Sequence, residues 1–418
     1  MTDIDRPTPD EIKRVSEDLV ERGSQTLRQR GVEQVAKSIH QAVLVLLDQN
    51  STIGRKLRQA LIASSGLSRE MIDWALKATF AEITAGSLIG CVASVANESE
   101  RRIAVPARLV VTVLAGNVFT AGFRAVALPL LVGSPVFAKV SSSDDVFPRY
   151  FKSALDRVDQ AIGSCYRLVR FRRENADLLA ALFAKAEVVS LFGGDDTVQA
   201  IRKVVPPLTR LLIHGHGLGA VSIPASALTS RKRASEIAEL VALDTAAYDQ
   251  RGCLSPHVVC VEGGGAVDGT EFARLLAYQG LKPLSITLPR GNVPAADAAA
   301  QMQWRAVARV RGCLHEEKCF AVSYEGSEPL RPSPGFRNVG VYRYDDLGSL
   351  ADRLSLFAVH LKALAVAGSD LDRERTARVL KPPLAPRISN VGVMQKPAFS
   401  VFADGQNDLR ELLRWIVY

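Results

Sequence analysis

The sequence predicts an α/β fold built on parallel strands, and three observations predict it. Short apolar runs alternate with amphipathic stretches from about residue 107 onward. Two of these runs, ending in LAGN and LFGG, open directly onto helical stretches, and open α/β sheets bind ligands at such strand ends. A second region, beginning near RASEIAELVALDTAAYDQRGC, alternates in the same way. With 418 residues, the chain is expected to form two or three subdomains rather than one.

The elements follow in order. TPDEI opens a helix: Thr8 can cap it, Pro9 suits the first helical position and Glu11 can close a capping box. VEQVAKSIHQAVLVLLDQ and REMIDWALKATFAEI continue as helices, with apolar residues returning every three or four places. ARLVVTVLAGN is a buried strand ending in a Gly-Asn turn, FTAGFRAVALPLLVG a helix, and SPVFAKVSSSD a strand with a polar turn. FPRYFKSALDRVDQA, NADLLAALFAKA and DDTVQAIRKVV read as helices; CYRLVRF and EVVSLFGG between them read as extended. In the second region HVVCVE and NVGVYRY are strands, and GTEFARLLAYQG and AADAAAQMQWRAVARV are helices. KPPLAP, with three prolines, reads as a linker, and the tail ends in a helix, DLRELLRWI.

Composition narrows the function. The chain is 47% hydrophobic and 23% charged, ordinary for a folded soluble protein. A net charge of +8 is carried by short clusters such as Arg231–Arg233, without a long basic tract or interleaved aromatics. Nucleic-acid binding is therefore not expected, whereas an anionic small molecule fits. Six scattered cysteines suggest reduced thiols and a cytoplasmic location. No signal peptide is expected at an N-terminus carrying Asp3 and Asp5, and the longest apolar stretches hold prolines or charges, so no membrane span is expected. Cys313, His315 and Cys319 lack a fourth partner nearby, and the intervening EEK reads as a solvated turn, so no metal is expected.

The tetrapeptide RGCL occurs twice, placing Cys253 and Cys313 after a glycine. The second copy, in GCLHEEKC, reads as an ordinary loop amid charges. The first follows a helix and directly precedes the strand VVCVE. There Gly252 lets the backbone approach a bound group, and the Cys253 N–H can face the same place as its sulfur, as a nucleophile with its own oxyanion donor requires. GGGAVDG, at Gly263–Gly269, lacks the Lys-Ser/Thr of a phosphate loop and reads as a connection. HGHGLGA leaves two readings open: a tight turn, or backbone lying close to a ligand. No G-x-S-x-G or H-E-x-x-H is present.

Taken in order, AGN, FAKVSSSD, SLFGGDD, HGHG and DQRGC resemble the blocks of the aldehyde dehydrogenase superfamily, and within it the LuxC-like fatty-acyl-CoA reductases. The resemblance implies an aldehyde-dehydrogenase-like fold, a Rossmann-type cofactor domain plus an α/β catalytic domain. The expected division is 1–235 for the N-terminal helices and cofactor domain and 236–384 for the catalytic domain. Residues 385–418 are a C-terminal segment that packs back on the cofactor domain or joins an oligomer interface.

Residue by residue, the resemblance implies Cys253 as nucleophile and Asn117 as the side-chain oxyanion donor. His214 falls where hydrolytic relatives carry a general-base glutamate; it takes a proton or shapes the turn. Lys139 would hold the adenosine ribose, with Ser141 and Ser142 beside it, and Gly193, Gly194 and Gly215 would let the backbone approach the cofactor. The glutamate that selects NAD is replaced by serine in KVSSSD, which favours NADPH. The superfamily's E-x-F-G-P segment has no clear match here. The implied reaction is NADPH-dependent reduction of an acyl-CoA thioester to an aldehyde and free coenzyme A, by a homo-oligomer. The alternatives are a CoA-acylating aldehyde dehydrogenase, an acyl-phosphate reductase, or a non-catalytic scaffold member.

Overall fold

The computed structural model describes residues 4–5, 7–96, 102–116, 118–141, 145–399 and 405–418. The chain divides into two compact units. The first comprises Met1–Ser65, Thr79–His216 and Ala398–Tyr418; the second comprises Gly66–Ala78 and Gly217–Pro397.

The first unit holds β1 (Ile4–Asp5), β2 (Arg102–Pro106), β3 (Val110–Val113), β4 (Val136–Lys139), β5 (Tyr166–Arg170), β6 (Val188–Gly193) and β7 (Arg210–Gly215). Six of these form one sheet in the order β1-β5-β4-β3-β6-β7, every pair parallel. Parallel strands covered on both faces read as unbroken apolar runs, and β3 and β4 are buried at every position. Val111, Phe137, Val169 and Val189 from four neighbouring strands meet Leu182 of the helix Ala176–Phe183 in one core. Local signals set the helix starts. Thr8 and Glu11 form the expected capping box on Pro9–Asp18, and Asn175 accepts from Leu178 N to cap the helix Ala176–Phe183.

The second unit holds β8 (Leu218–Ile223), β9 (Pro256–Glu262), β10 (Cys313–Glu317), β11 (Phe320–Tyr324), β12 (Asn338–Tyr344), β13 (Leu361–Val366) and β14 (Arg387–Asn390). Their order is β10-β11-β12-β9-β8-β13-β14; only the edge pair β10–β11 is antiparallel. Val221, Val259, Val322 and Val341 pack on Phe272 from the helix Gly269–Leu275, which Asp268 of GGGAVDG caps.

Three sequence expectations change. DLRELLRWI is helical only over Asp408–Glu411, and Leu413–Val417 forms β15, antiparallel to β2. Its leucines and arginines suit a helix locally, but pairing with β2 overrides that preference. The stretch from Cys313 to Glu317, expected as a loop and turn, is β10, held by all five register pairs with β11. The first boundary falls at His216/Gly217 rather than after residue 235, because β8 pairs with β9 and β13 of the second sheet. HGHG is thus not a tight turn between paired strands: β7 ends at Gly215 and β8 begins at Leu218, in different sheets. The terminal residues Ala398–Tyr418 belong to the first unit, where Arg210 donates to Leu413 O at 2.8 Å. Among the described residues, no single helix is long and apolar enough to cross a membrane.

Candidate active site

In the first sheet β3 is the strand from which the order turns: β4 and β5 lie on one side, β6 and β7 on the other. Loops leaving the carboxyl ends of neighbouring strands diverge at such a point and leave a crevice. A cavity of about 660 Å³ opens there. Its wall comes from the ends of four strands: Val113 of β3 with Leu114 beyond it, Lys139 of β4, the loop Phe171–Glu174 after β5, and Phe192 and Gly193 of β6. Ser141, Gly194 and Thr197 complete it, the last from the helix Asp195–Arg202. Four of the residues expected to bind cofactor, Lys139, Ser141, Gly193 and Gly194, therefore share one cavity. Ser142 and Asn117 lie outside the described residues.

The cavity is basic. Lys139 is only 6% exposed, and its Nζ lies 5.1 Å from the centre of the Phe171 ring. Burial pulls its ammonium below the ordinary lysine range, while Glu174 acts the other way. Arg172 and Arg173 line the same wall. Arg173 spans it, donating from Nη1 to Thr197 Oγ1 at 2.9 Å and from Nε to Glu174 Oε1 at 3.1 Å. These three, Arg172, Arg173 and Glu174, were not singled out from sequence; the available signal was a charged triplet directly after the apolar run CYRLVRF. The helix start beyond Gly194 carries Asp195 and Asp196, and Asp195 Oδ1 lies 3.4 Å from His216 Nδ1.

His214 and Gly215 sit at the end of β7, where Gly215 is in register with Gly193. The His214 ring stacks on Phe192, centres 4.4 Å apart, and its Nε2 lies 3.8 Å from Asp408 Oδ1. Asp408 also accepts from Arg124 Nε at 3.1 Å. His214 thus has an aromatic face on one side and a carboxylate of the terminal segment on the other.

In the second unit, Cys253 is solvent-accessible, whereas Gly252 and Ser255 are buried. Ser255 N donates to Gly252 O at 3.0 Å, closing a turn around the cysteine. The residues before it, Tyr248, Asp249 and Gln250, are all left-handed, with φ of 53°, 52° and 61°. Non-glycine residues seldom adopt this region, and each costs on the order of 1–3 kcal/mol unless its surroundings hold it. The surroundings here do. Arg337, fully buried, pairs with the Asp249 carboxylate at 2.8 Å, and Gly291 N donates to its other oxygen at 2.9 Å. Gln250 Nε2 donates to Pro256 O at 2.7 Å and Asn338 O at 2.8 Å. Met71 Sδ accepts from Tyr248 N, and Trp74 meets the Tyr248 ring edge-on at 6.0 Å. Cys313 is also exposed, but it lies on the edge strand β10 with no comparable brace among the described residues.

The model of the family described as acyl-CoA reductase (LuxC) matches residues 92–415. The chain belongs to the acyl-CoA reductase (LuxC) family. It is accordingly an oxidoreductase acting on aldehydes or acyl-CoA. No curated protein sequence matches it. Among solved structures, three aldehyde dehydrogenases share the fold of this LuxC-family chain. A protein described as aldehyde dehydrogenase PutA from Anabaena variabilis has a TM-score of 0.73 at 18% identity, covering 99% of this chain and 94% of that one. An NAD-dependent benzaldehyde dehydrogenase from Corynebacterium glutamicum has 0.71 at 16%, covering 98% and 90%. A salicylaldehyde dehydrogenase from Pseudomonas putida G7 has 0.71 at 13%, again covering 98% and 90%.

Proposed function

We propose that this LuxC-family chain reduces an acyl-CoA thioester to an aldehyde and free coenzyme A, using NADPH and a thioacyl-enzyme on Cys253. The observation that carries the reading is the brace on Cys253: three left-handed residues and a buried ion pair present one accessible sulfur. The basic cavity supports the cofactor. Lys139, Arg172 and Arg173 outnumber Glu174, and Arg173 already engages that carboxylate. A ribose 2′-phosphate gains from such cations, which favours NADPH over NADH.

The chain's own groups perform the following steps. The Cys253 thiolate attacks the thioester carbonyl carbon, forming a C–S bond. The Cys253 N–H and the Asn117 amide take the oxyanion, a donor being worth roughly 3 kcal/mol. The C–S bond to coenzyme A breaks, and its thiolate leaves with a proton from water. When bound, the nicotinamide cofactor supplies the hydride that reduces the thioacyl carbon. The resulting thiohemiacetal oxyanion on Cys253 then collapses, releasing the aldehyde and restoring the thiolate. Where hydrolytic relatives have a base, this chain has His214, held between Phe192 and Asp408. We assign it to shaping the end of β7 rather than to activating water.

The test follows NADPH absorbance with acyl-CoA esters from acetyl to palmitoyl, trapping the aldehyde. The expected result is consumption that requires acyl-CoA, is lost in Cys253→Ala, and weakens in Lys139→Met through a higher KM for NADPH. Turnover by Cys253→Ala, or turnover of acyl phosphate in place of the thioester, would overturn the proposal.

A further inference from the structure

One side chain crosses the cavity of the first unit and carries a further inference, which rests on that cavity being the cofactor site. Strands β5 and β6 are not neighbours in the sheet: β4 and β3 stand between them. At the usual strand spacing their ends are three intervals apart, roughly 14 Å. Arg173 nonetheless joins the two sides. It leaves the loop after β5, and its Nη1 donates to Thr197 Oγ1 at 2.9 Å, on the helix Asp195–Arg202 that follows β6. Lys139 of β4 and Val113 of β3 lie in the wall of the crevice so crossed. Arg172, the next cation in that wall, makes no such crossing bond among the described residues.

The two ends of this strap are held differently. Thr197 is fixed: its N donates to Gly194 O at 2.9 Å, and a Cβ added at Gly193 would lie 3.1 Å from Thr197 Cβ. The arginine is held loosely. Its Nε meets Glu174 Oε1 at 3.1 Å, but the two side chains are 55% and 69% exposed. An exposed ion pair contributes little, because water competes for both charges. Arg173 can therefore leave both partners at small cost, and what it gains depends on the ligand. A phosphate offers a guanidinium two charged oxygens at once, whereas a ribose hydroxyl offers none. Glu174 pulls the other way, since its carboxylate holds Arg173 back and repels a phosphate.

We propose that Arg173 is a specificity-determining residue of the cofactor site: it straps the crevice by bonding Thr197, and exchanges that bond for the adenosine 2′-phosphate of NADPH. NADH has to displace the same strap and offers it no anion in exchange. Glu174 sets how readily the exchange occurs.

The test is calorimetric titration of the full chain, without acyl substrate. The probes are NADPH, NADH and two fragments lacking nicotinamide, adenosine 2′,5′-bisphosphate and AMP. The 2′-phosphorylated member of each pair is expected to bind more tightly. Arg173→Met should weaken NADPH and the bisphosphate about ten- to a hundredfold, as expected for hydrogen bonds to a charged group, and should not weaken NADH or AMP. Glu174→Gln should tighten NADPH. Thr197→Val should not weaken NADPH, because the bond it removes is already broken in the complex. If Arg173→Met does not fold, Arg173→Gln keeps a donor for Thr197 and loses the charge, and the same loss of preference is expected. Equal weakening of NADPH and NADH in a folded Arg173 variant puts the arginine on a phosphate that both share, and overturns its role in specificity. So does a preference that is lost in Arg172→Met and kept in Arg173→Met, or a parent protein that binds both members of each pair equally. A parent protein that binds none of the four overturns the cofactor reading of the cavity itself.

Discussion

Arg337 grips a single carboxylate oxygen of Asp249 with two nitrogens, Nε at 3.1 Å and Nη2 at 2.8 Å, and both side chains are out of water. Its third nitrogen, Nη1, donates to Leu288 O at 2.7 Å. Removing one partner strands a buried charge. Arg337→Met should lower stability by about 3–5 kcal/mol, read as a drop in the urea midpoint. The double variant Asp249→Leu, Arg337→Met should recover part of that loss, because no charge is then left unpaired.

Gly219→Ala should damage the site with less damage to the fold. The new methyl meets a backbone carbonyl, Leu254 O, and that carbonyl belongs to the residue after Cys253. Overpacking of this kind costs about 1–3 kcal/mol. The expected outcome is a fall in kcat at least as large as that cost implies, with the affinity of the first unit's cavity for NADPH unchanged in a calorimetric titration.

The thiols should separate by burial. Burial pushes Cys165 up to about 11 and Cys260 up to about 12, and raises Cys91 as well. At pH 8 these three should resist a maleimide while Cys253 and Cys313 react and Cys319, half-buried, follows more slowly. Intact mass should therefore show two fast additions, and full labelling only after unfolding.

His257 gives the stability a defined pH slope. Its Nδ1 lies 2.8 Å from Ser333 O, and burial pulls its pKa below the ordinary histidine value. The unfolded chain then binds the proton more readily than the folded one. This contribution is complete above about pH 6.5 and is lost as pH falls below it. His257→Gln should flatten that slope relative to the parent protein in thermal melts across pH 5 to 8.

Much of the architecture was readable because parallel strands announce themselves. VVTV, VFAK and VVSLFG are mostly apolar, and each leads into a glycine or polar turn. Lys139, Gly193 and Cys253 stood out because they end or precede such runs. The tail misled because LRELLRW suits a helix until β2, some three hundred residues earlier, offers it a ladder. Cys313 misled for the same reason, its strand being defined by β11. Arg172 and Arg173 were not legible as residues of the cavity wall, nor Asp244 as the anchor of a distant turn. A lone charged residue gives no sign in sequence of whether it faces water or a partner, and the partners of Asp244 lie about 150 residues away.

The brace on Tyr248 comes from Met71 and Trp74, which lie in the thirteen-residue stretch Gly66–Ala78 that the second unit borrows from within the first. The chain thus passes between the units at four places, after residues 65, 78, 216 and 397. Neither unit is a single stretch of gene. A clone spanning 217–397 would encode the nucleophile and lack the residues that support its turn, and one stopping at 216 would lose β15. Reusing either half in another protein would require transplanting separated pieces of reading frame together, so insertions at loop tips are an easier path to variation here than exchange of whole modules.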